Sequence, residues 1–335
     1  MIAKRRISIV IYFIGLIILL FFSVIIATTF GAKNISFSTV LSALFNYDIT
    51  NTSHHVISTI RFPRVLAAII AGVGFAISGA IIQGVSRNPL ADTGLFGLNA
   101  GAGLLLVIGM IFIPSLSFIH SLWLCILGAL LGAALVFGIS MLSPRGMQPI
   151  RLVLAGAAIS TLLVALSEAI GIYFSVSQQV AFWYGGGLSG IKMEHLAQIF
   201  PFFCVGTILS ILLSKHISML SLGEEVAQGL GVRITLIKSL ALIGAFILAG
   251  ISCAIAGAIS FVGLLCPHIV RYFVGADYRL IIPLSGIVGA ILVVFADLLA
   301  RILNAPYEVP VGAILGIIGV PFFIMIARKE RQELS

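Results

Sequence analysis

Apolar residues form long runs along this chain, separated by short polar stretches. A bilayer core about 30 Å thick is crossed by about 20 apolar residues of helix, and ten segments satisfy that requirement within a few residues. They are residues 7–30, 61–86, 95–113, 119–142, 151–174, 196–214, 234–255, 258–273, 280–302 and 308–327. The eighth is the shortest and contains Pro267. The pattern predicts an all-α, polytopic membrane protein with about ten transmembrane helices in a single domain, residues 1–335.

The composition supports a membrane protein and argues against an enzyme. Hydrophobic residues make up 60% of the 335 positions and charged residues 9%, which leaves too little polar surface for a soluble domain. Lysine never follows glycine, so the phosphate-binding G-x-x-x-x-G-K-[ST] loop is absent. The four cysteines lie in or beside apolar segments without CxxC spacing, a pattern typical of small buried residues. We expect no enzymatic activity, no metal site and no cofactor held by this chain.

The distribution of lysine and arginine predicts the orientation in the membrane. Cations accumulate in short cytoplasmic loops, and a cytoplasmic N-terminus leaves only five of the 19 lysines and arginines outside: Lys33, Arg61, Arg64, Lys192 and Arg301. An even number of helices returns the C-terminus to the cytoplasm. The net charge of +8 is then a consequence of topology and calls for no nucleic-acid partner. We expect a multi-pass protein of the cell membrane with both termini cytoplasmic.

Two segments of the chain resemble each other. "AGVGFAISGAIIQGVSRNP" (71–89) and "AGISCAIAGAISFVGLLCP" (249–267) align without a gap and share eight residues. Alanine, glycine and isoleucine are common in this chain, so chance agreement is the alternative. A true repeat would run in opposite directions in the two copies, with halves of about 1–178 and 179–335. Inverted repeats of this kind are found in many transporters.

A short glycine-rich segment, "SLGEEVAQGLGVRI" (221–234), lies between the sixth and seventh apolar segments. Ser221 and Glu224 fit the spacing of a capping box, and Gly229 and Gly231 can end a short helix. Two glutamates and glycine-rich ends favour a compact helix that seats in a groove of a partner. The alternative is an ordinary capped helix in a loop.

Four motifs together resemble one protein family over nearly the whole chain. They are "RFPRVLAAIIAGVGFAISGAIIQGVSRNPLADTGLFGLNAGAG" (61–103), "LGEEVAQGLGV" (222–232), "GAISFVGLLCPHIVR" (257–271) and "ADLLARI...EVPVGAILGIIGVPFFI" (296–324). The chain is similar to the permease subunits of ABC importers for ferric siderophores, haem and cobalamin, the FecCD and cobalamin-permease family. This resemblance implies the type II ABC importer permease fold, in which ten helices form a subunit that dimerises around a central pathway.

The resemblance also implies partners and a mechanism. The partners are a second permease subunit, identical or paralogous, two cytoplasmic ATPase subunits that use ATP and Mg, and an extracytoplasmic substrate-binding protein. The mechanism is alternating access. The bias toward isoleucine, phenylalanine and serine is compatible with a low-GC Gram-positive host and favours a ferric siderophore as cargo, with haem and cobalamin as alternatives. A secondary transporter driven by an ion gradient would need ionisable groups at membrane depth, and Glu168 and Asp297 are the only acids well within predicted helices.

The resemblance assigns contact residues at both sides of the membrane. The ATPase-coupling residues correspond to Leu222, Gly223, Glu224, Glu225, Gly229 and Gly231. The family's R-x-P-R motif reads Arg61, Phe62, Pro63, Arg64, and these arginines with Arg301 are expected to dock acidic residues of the binding protein. A guanidinium can hold a carboxylate in bidentate fashion. The alternative is interfacial snorkelling, with Arg301 paired to Asp297 one turn earlier.

The segment "RNPLADTGLFGLNAGAG" (87–103) interrupts two apolar runs. Pro89 is expected to stop the second helix and Asp92 to cap the next one. In the family the N-P-L segment lies near the inner mouth of the pathway, which makes Asn88, Pro89 and Leu90 gate candidates. A simple tight turn is the alternative.

Glu168 has no family motif behind it. A carboxylate inside a membrane helix usually faces a cavity or a partner, so Glu168 is a candidate for lining the pathway and disfavouring anionic cargo.

Overall fold

The computed structural model describes residues 2–31, 33–141 and 149–333, and these residues form an all-helical bundle without β-strands. Short π-helical and 3₁₀ turns at Ile57–Arg61 and Gly94–Phe96 precede α4 and α5. The helices are α1 (Ile2–Thr29), α2 (Phe37–Phe45), α3 (Thr52–Val56), α4 (Phe62–Ser86), α5 (Leu98–Phe112), α6 (Phe118–Met141), α7 (Pro149–Tyr173), α8 (Ser177–Gly185), α9 (Met193–Ser221), α10 (Glu224–Gly229), α11 (Ile234–Ala256), α12 (Val262–Val274), α13 (Tyr278–Ile302) and α14 (Val311–Glu333).

Each of the ten predicted segments coincides with a helix. Seven helical stretches are long and apolar enough to cross a membrane, and α5, α12 and α14 are shorter apolar helices. The all-α class and the approximate count of ten are therefore confirmed. The short helices α2, α3 and α8 were not predicted, because they have too few apolar residues to register as spans.

The eighth predicted segment begins later than expected. Residues 257–261 are not helical, and α12 starts at Val262. Gly257 (φ +75°) and Phe261 (φ +70°) both adopt left-handed backbone conformations, which interrupt the chain between α11 and α12. The first copy of the proposed internal repeat is continuous helix as far as Ser86, whereas the second crosses this break. The repeat stays a prediction.

Helix α4 lies at the centre of the bundle and packs against α13, α11, α12 and α9. Most of its residues are buried, while the apolar residues of α1 are largely exposed. Close approach depends on glycine: an added Cβ on Gly72 would overlap the backbone of Gly289, and one on Gly79 would overlap Gly263. Small residues drive such packing in lipid, where apolar burial alone gives little association.

Helices α5 and α6 approach in the same way. A Cβ on Gly101 would overlap the backbone of Gly128, and a Cβ on Gly132 would overlap Gly97. The stretch "GALLG" (128–132) therefore places small residues where the two backbones touch, as its spacing indicates.

The bundle has two ends with different chemistry. The α10 end contains α10, the α4–α5 turn and the start of α13, where Tyr278 N–H donates to Ser218 Oγ of α9 at 2.8 Å. The arginine end contains the C-termini of α1 and α13 and the start of α4, where Arg64 contacts Asp297. The predicted site residues lie mainly at these two ends.

Candidate functional site

Helix α10 begins without the predicted capping box. Ser221 is the last residue of α9, and its hydroxyl donates to the Ser218 carbonyl at 2.7 Å. Gly223, with φ +122°, precedes α10 and provides no side chain for capping. The other end agrees with the sequence: α10 ends at Gly229, and Gly231 has φ +81°. The serine–glutamate spacing was misleading because α9 continues seven residues past its predicted end at residue 214.

The surface of α10 combines exposed apolar and acidic groups. Leu222, Val226 and Leu230, spaced four residues apart, have relative exposures of 67%, 49% and 59%. Val226 lies on α10, and Leu222 and Leu230 flank this helix on either side, so the three residues form an exposed apolar surface at and beside α10. Ala227 is fully buried against the bundle, and Glu225 is exposed. The apolar surface has the character of a contact site.

Glu224 is held by two cations of this chain. Lys238 Nζ on α11 donates to Glu224 Oε1 at 2.8 Å, and Arg87 Nη2 lies 3.5 Å from the same oxygen. The hydrogen bond from Lys238 lowers the pKa of the Glu224 carboxyl, and the charges of Lys238 and Arg87 act in the same direction. The predicted coupling residue is therefore linked to the chain that follows α4.

The α4–α5 turn contains the gate candidates. Helix α4 ends at Ser86 because Arg87 turns into the left-handed region (φ +52°), so the helix stops before the chain reaches Pro89. Asn88 Oδ1 accepts the Leu90 N–H at 2.9 Å, a typical Asx turn. Asn88, Pro89 and Leu90 are half-buried. The local geometry is a tight turn, and the gate assignment stays a prediction.

Asp92 does not cap α5. Gly97 occupies the capping position of that helix, which has no side-chain cap. The Asp92 carboxylate is buried and accepts backbone hydrogen bonds from Gly94 and Phe261. It therefore lies at the N-terminus of α12, where a carboxylate complements the unpaired N–H groups and the helix dipole.

Two further buried polar side chains join the same two loops, and the sequence analysis did not identify them. Asn99 Nδ2 donates to the Ile259 carbonyl at 2.9 Å. Gln83 Nε2 donates to the carbonyls of Ala91 and Gly263, both at 3.3 Å. A polar residue inside an apolar run can be recognised in the sequence. The sequence does not show which residues across the bundle Asn99 and Gln83 contact. The chain around the gate candidates is thus fixed to the break between α11 and α12.

At the arginine end, Arg61 is satisfied by main-chain acceptors. Its guanidinium donates to the carbonyls of Thr28 and Thr29, each at 2.8 Å, and also to that of Lys33. The residue is buried, with 7% relative exposure. Arg61 therefore connects the start of α4 to the C-terminus of α1.

Arg64 and Arg301 share one buried carboxylate. Arg64 lies 2.8 Å and Arg301 3.1 Å from Asp297. Arg64 also forms a bidentate contact with Glu308, at 2.6 and 3.0 Å. Arg301 donates to the Ala27 carbonyl at 3.0 Å. It also pairs with Asp297 one turn earlier on α13, as the four-residue spacing predicts.

The structure brings the three predicted docking arginines together, but it buries them. Asp297 is 1% exposed, and the exposed acid of the cluster is Glu308, with 44% of its side chain accessible. Three guanidinium groups face two carboxylates, so the cluster carries one uncompensated positive charge. A cavity of about 140 Å³ opens beside it. It is lined by Gly31, Arg61, Arg64, Arg301, Pro306 and Glu308.

Glu168 lies on α7, five residues before the helix ends at Tyr173, and its side chain is exposed. The neighbouring Ser167 is buried and accepts a hydrogen bond from Tyr184 of α8 at 3.2 Å. Glu168 therefore lies on a face of α7 that the described part of the chain leaves exposed.

A bundle of apolar helices, seven of them long enough to cross a membrane, with a short exposed helix between α9 and α11, has the architecture of a polytopic membrane protein. Its sequence matches the FecCD transport family over residues 11–329. The chain belongs to this family of ABC importer permeases.

Similar proteins come from several bacteria. The iron(3+)-hydroxamate import system permease protein FhuB of Bacillus subtilis (strain 168) is 42% identical over 331 residues, covering 99% of this chain and 86% of that protein. The hemin transport system permease protein HmuU of Yersinia pestis is 35% identical, with 96% of each chain covered. A solved metal-chelate type ABC transporter in an inward-facing conformation superposes with a TM-score of 0.80 at 29% identity, covering 94% of this chain and 98% of that one. The type II importer permease fold is thus confirmed.

Proposed function

We propose that this chain translocates a ferric siderophore by alternating access, as one permease subunit of a binding-protein-dependent ABC importer. The observation that carries the proposal is the likeness to relatives named for iron(3+)-hydroxamate and Fe(3+)-citrate import, at 42% and 40% identity over nearly the whole chain. The relative named for hemin transport, at 35% identity, makes haem the second candidate cargo. The complete importer would add a second permease, identical or paralogous, two ATPase subunits and an extracytoplasmic binding protein.

The α10 end is proposed to face the cytoplasm, together with both termini. Cations in the described loops and near the adjoining helix ends support this orientation, since they concentrate at the α10 end and positively charged segments are retained inside. They include Arg87, Lys215, Arg233, Lys238, Arg271 and Arg279.

The ATPase is proposed to bind α10 and its flanking residues, which are Leu222, Gly223, Glu224, Glu225, Gly229 and Gly231. The exposed apolar side chains of Leu222, Val226 and Leu230 support this assignment, because a short helix with apolar residues on it and beside it suits a groove in a partner protein. ATP and Mg would be used by that partner, and this chain would transmit the movement.

The binding protein is proposed to dock at the arginine end by an exchange of carboxylates. All three arginines are buried, and Glu308, the outer partner of Arg64, is the half-exposed group of the cluster, so the exchange would take place at Arg64. A carboxylate of the binding protein would replace Glu308 on Arg64. The uncompensated positive charge of the cluster favours an incoming anionic group.

The inner gate is proposed to lie at Asn88, Pro89 and Leu90, and Glu168 is proposed to line the pathway on α7. The exposure of Glu168 in the isolated subunit suits a position that a second permease or the cargo would cover. Glu168→Gln is expected to change uptake of anionic chelates relative to neutral ones, and unchanged uptake of both would remove this assignment.

The proposed function is tested by uptake of ⁵⁵Fe-hydroxamate, ⁵⁵Fe-citrate and ⁵⁵Fe-haem in cells with and without this gene. Loss of one ferric chelate on deletion, with restoration by the gene, is the expected result. Loss of haem uptake alone would select the alternative cargo. Uptake that continues after the partner ATPase is inactivated would contradict the importer and favour an ion-coupled transporter.

The docking proposal is tested by Glu308→Gln, which releases Arg64 without removing it. The purified complex is expected to bind its binding protein more tightly by about two- to fivefold, the range set by one solvent-exposed ion pair. Glu308→Asp, which keeps the charge, is the control. Weaker or unchanged binding in Glu308→Gln would remove the exchange step.

A further inference from the structure

The α10 end contains a three-residue ion cluster that connects three separate elements. Glu224 is the first residue of α10, Lys238 lies on α11, and Arg87 immediately follows α4. Both cations contact the same oxygen, Glu224 Oε1. Since Arg87 is followed directly by Asn88, Pro89 and Leu90, the contact joins α10 to the turn that contains the gate candidates.

The two contacts with Glu224 differ in strength. Lys238 donates a hydrogen bond at 2.8 Å, whereas Arg87 lies at 3.5 Å, and the Arg87 side chain is 48% exposed against 23% for Lys238. The longer and more exposed contact is the weaker one. The Arg87 contact is therefore the one that a movement of α10 would break first, with Glu224 remaining on α11.

Space is available for this movement. A cavity of about 370 Å³ lies beneath the ion cluster, between the end of α4 and the start of α11. A tightly packed contact would resist displacement, whereas an ion pair over a cavity can form or break without repacking. The cavity is lined by Ile82, Phe96, Leu242, Arg87, Glu224 and Lys238.

We propose that the Arg87–Glu224 ion pair is a positioning contact that links the movement of α10 to the turn at residues 88–90. Lys238 keeps Glu224 on α11 when the pair is open. This inference rests on the proposed function, because α10 moves only if an ATPase acts on it. The role of Arg87 and Glu224 in this proposal is to transmit the position of α10 to the turn.

The test measures coupling rather than activity alone. The full importer is reconstituted in proteoliposomes, and the ferric chelate taken up per ATP hydrolysed is measured for wild type, Arg87→Gln, Glu224→Gln and the double variant. Arg87→Gln is expected to lower this ratio by about two- to fivefold, the range of one exposed ion pair. The double variant is expected to be no worse than Glu224→Gln, because both changes remove the same contact.

Two further variants separate coupling from folding. Arg87→Lys, which keeps the positive charge, is expected to retain more of the coupling than Arg87→Gln. Arg279→Gln is the matched control, since Arg279 is an exposed arginine at the same end that pairs locally with Asp277 at 2.8 Å. Its ratio is expected to equal that of wild type.

Three outcomes would overturn the inference: an unchanged ratio in Arg87→Gln, an equal decrease in Arg279→Gln, or independent, additive losses in the double variant. In each of these the wild-type importer still works, so the proposed function survives. A wild-type complex that takes up no ferric chelate on ATP hydrolysis would overturn both.

Discussion

Replacement of Arg64 tests whether the arginine cluster holds the bundle together. Arg64 and Asp297 are both buried, with side-chain exposures of 6% and 1%. Removing one partner of a buried pair leaves an uncompensated charge and costs about 3–5 kcal/mol. Arg301 remains 3.1 Å from Asp297, so Arg64→Ala is expected at the lower limit of this range. Glu308 is half-exposed, and Glu308→Gln is expected to cost only about 0–1 kcal/mol.

The assay is the midpoint of detergent-induced or thermal unfolding of the purified protein. Arg64→Ala is expected to lower the midpoint clearly, and Glu308→Gln is expected to leave it almost unchanged. The double variant Arg64→Met with Asp297→Leu is expected to recover none of this loss, because it leaves the buried Arg301 without its carboxylate. Equal midpoints for Arg64→Ala and Glu308→Gln would refute the view that the buried pair stabilises the α4–α13 contact.

Three other predictions concern packing, loop anchoring and pH. Gly101→Leu is expected to abolish accumulation in the membrane because its side chain would enter the backbone of α6, whereas Gly138→Ala, with open space around it, is the neutral control. Asp92→Leu is expected to destabilise the fold by about 1–3 kcal/mol by leaving the Phe261 N–H without its acceptor, as unfolding of the purified variant would measure. Because the pKa of Glu224 is lowered, its ion pairs are present above the ordinary carboxyl pKa and are lost only as pH falls through the lowered value. The amount of ferric chelate taken up per ATP hydrolysed is therefore expected to fall by the same factor in Glu224→Gln at pH 7.5 and at pH 5.5.

The helices that cross the membrane were predictable because each needs a long apolar run, and that requirement is visible in one sequence. The break before α12 was not predictable from the sequence, since it depends on the left-handed backbone conformation of Phe261. A phenylalanine in that conformation has no local signature. It is held there by tertiary contacts, among them the hydrogen bond from its N–H to Asp92.

The clustering of Arg61, Arg64 and Arg301 followed from motifs, whereas their burial did not. Arg64 finds its carboxylates 233 and 244 positions along the chain, a separation at which pattern analysis gives no pairing. The link between Arg87 and Glu224 was hidden for the same reason. The segments that contain Arg87 and Glu224 were both predicted to be functional, but nothing in the sequence indicated that these two residues contact each other.

The separation between Arg64 and Asp297 also sets an order for biogenesis. The carbonyl partners of Arg61 precede it in the chain by 28 to 33 residues, so α1 and α4 can be joined as soon as α4 is inserted. Arg64 emerges from the ribosome 233 residues before Asp297 and must meanwhile keep its guanidinium at the membrane interface. Helix α4 is therefore inserted early, but its buried ion pair forms late. Arg64 has no Asp297 carboxylate to bind until α13 has been synthesised.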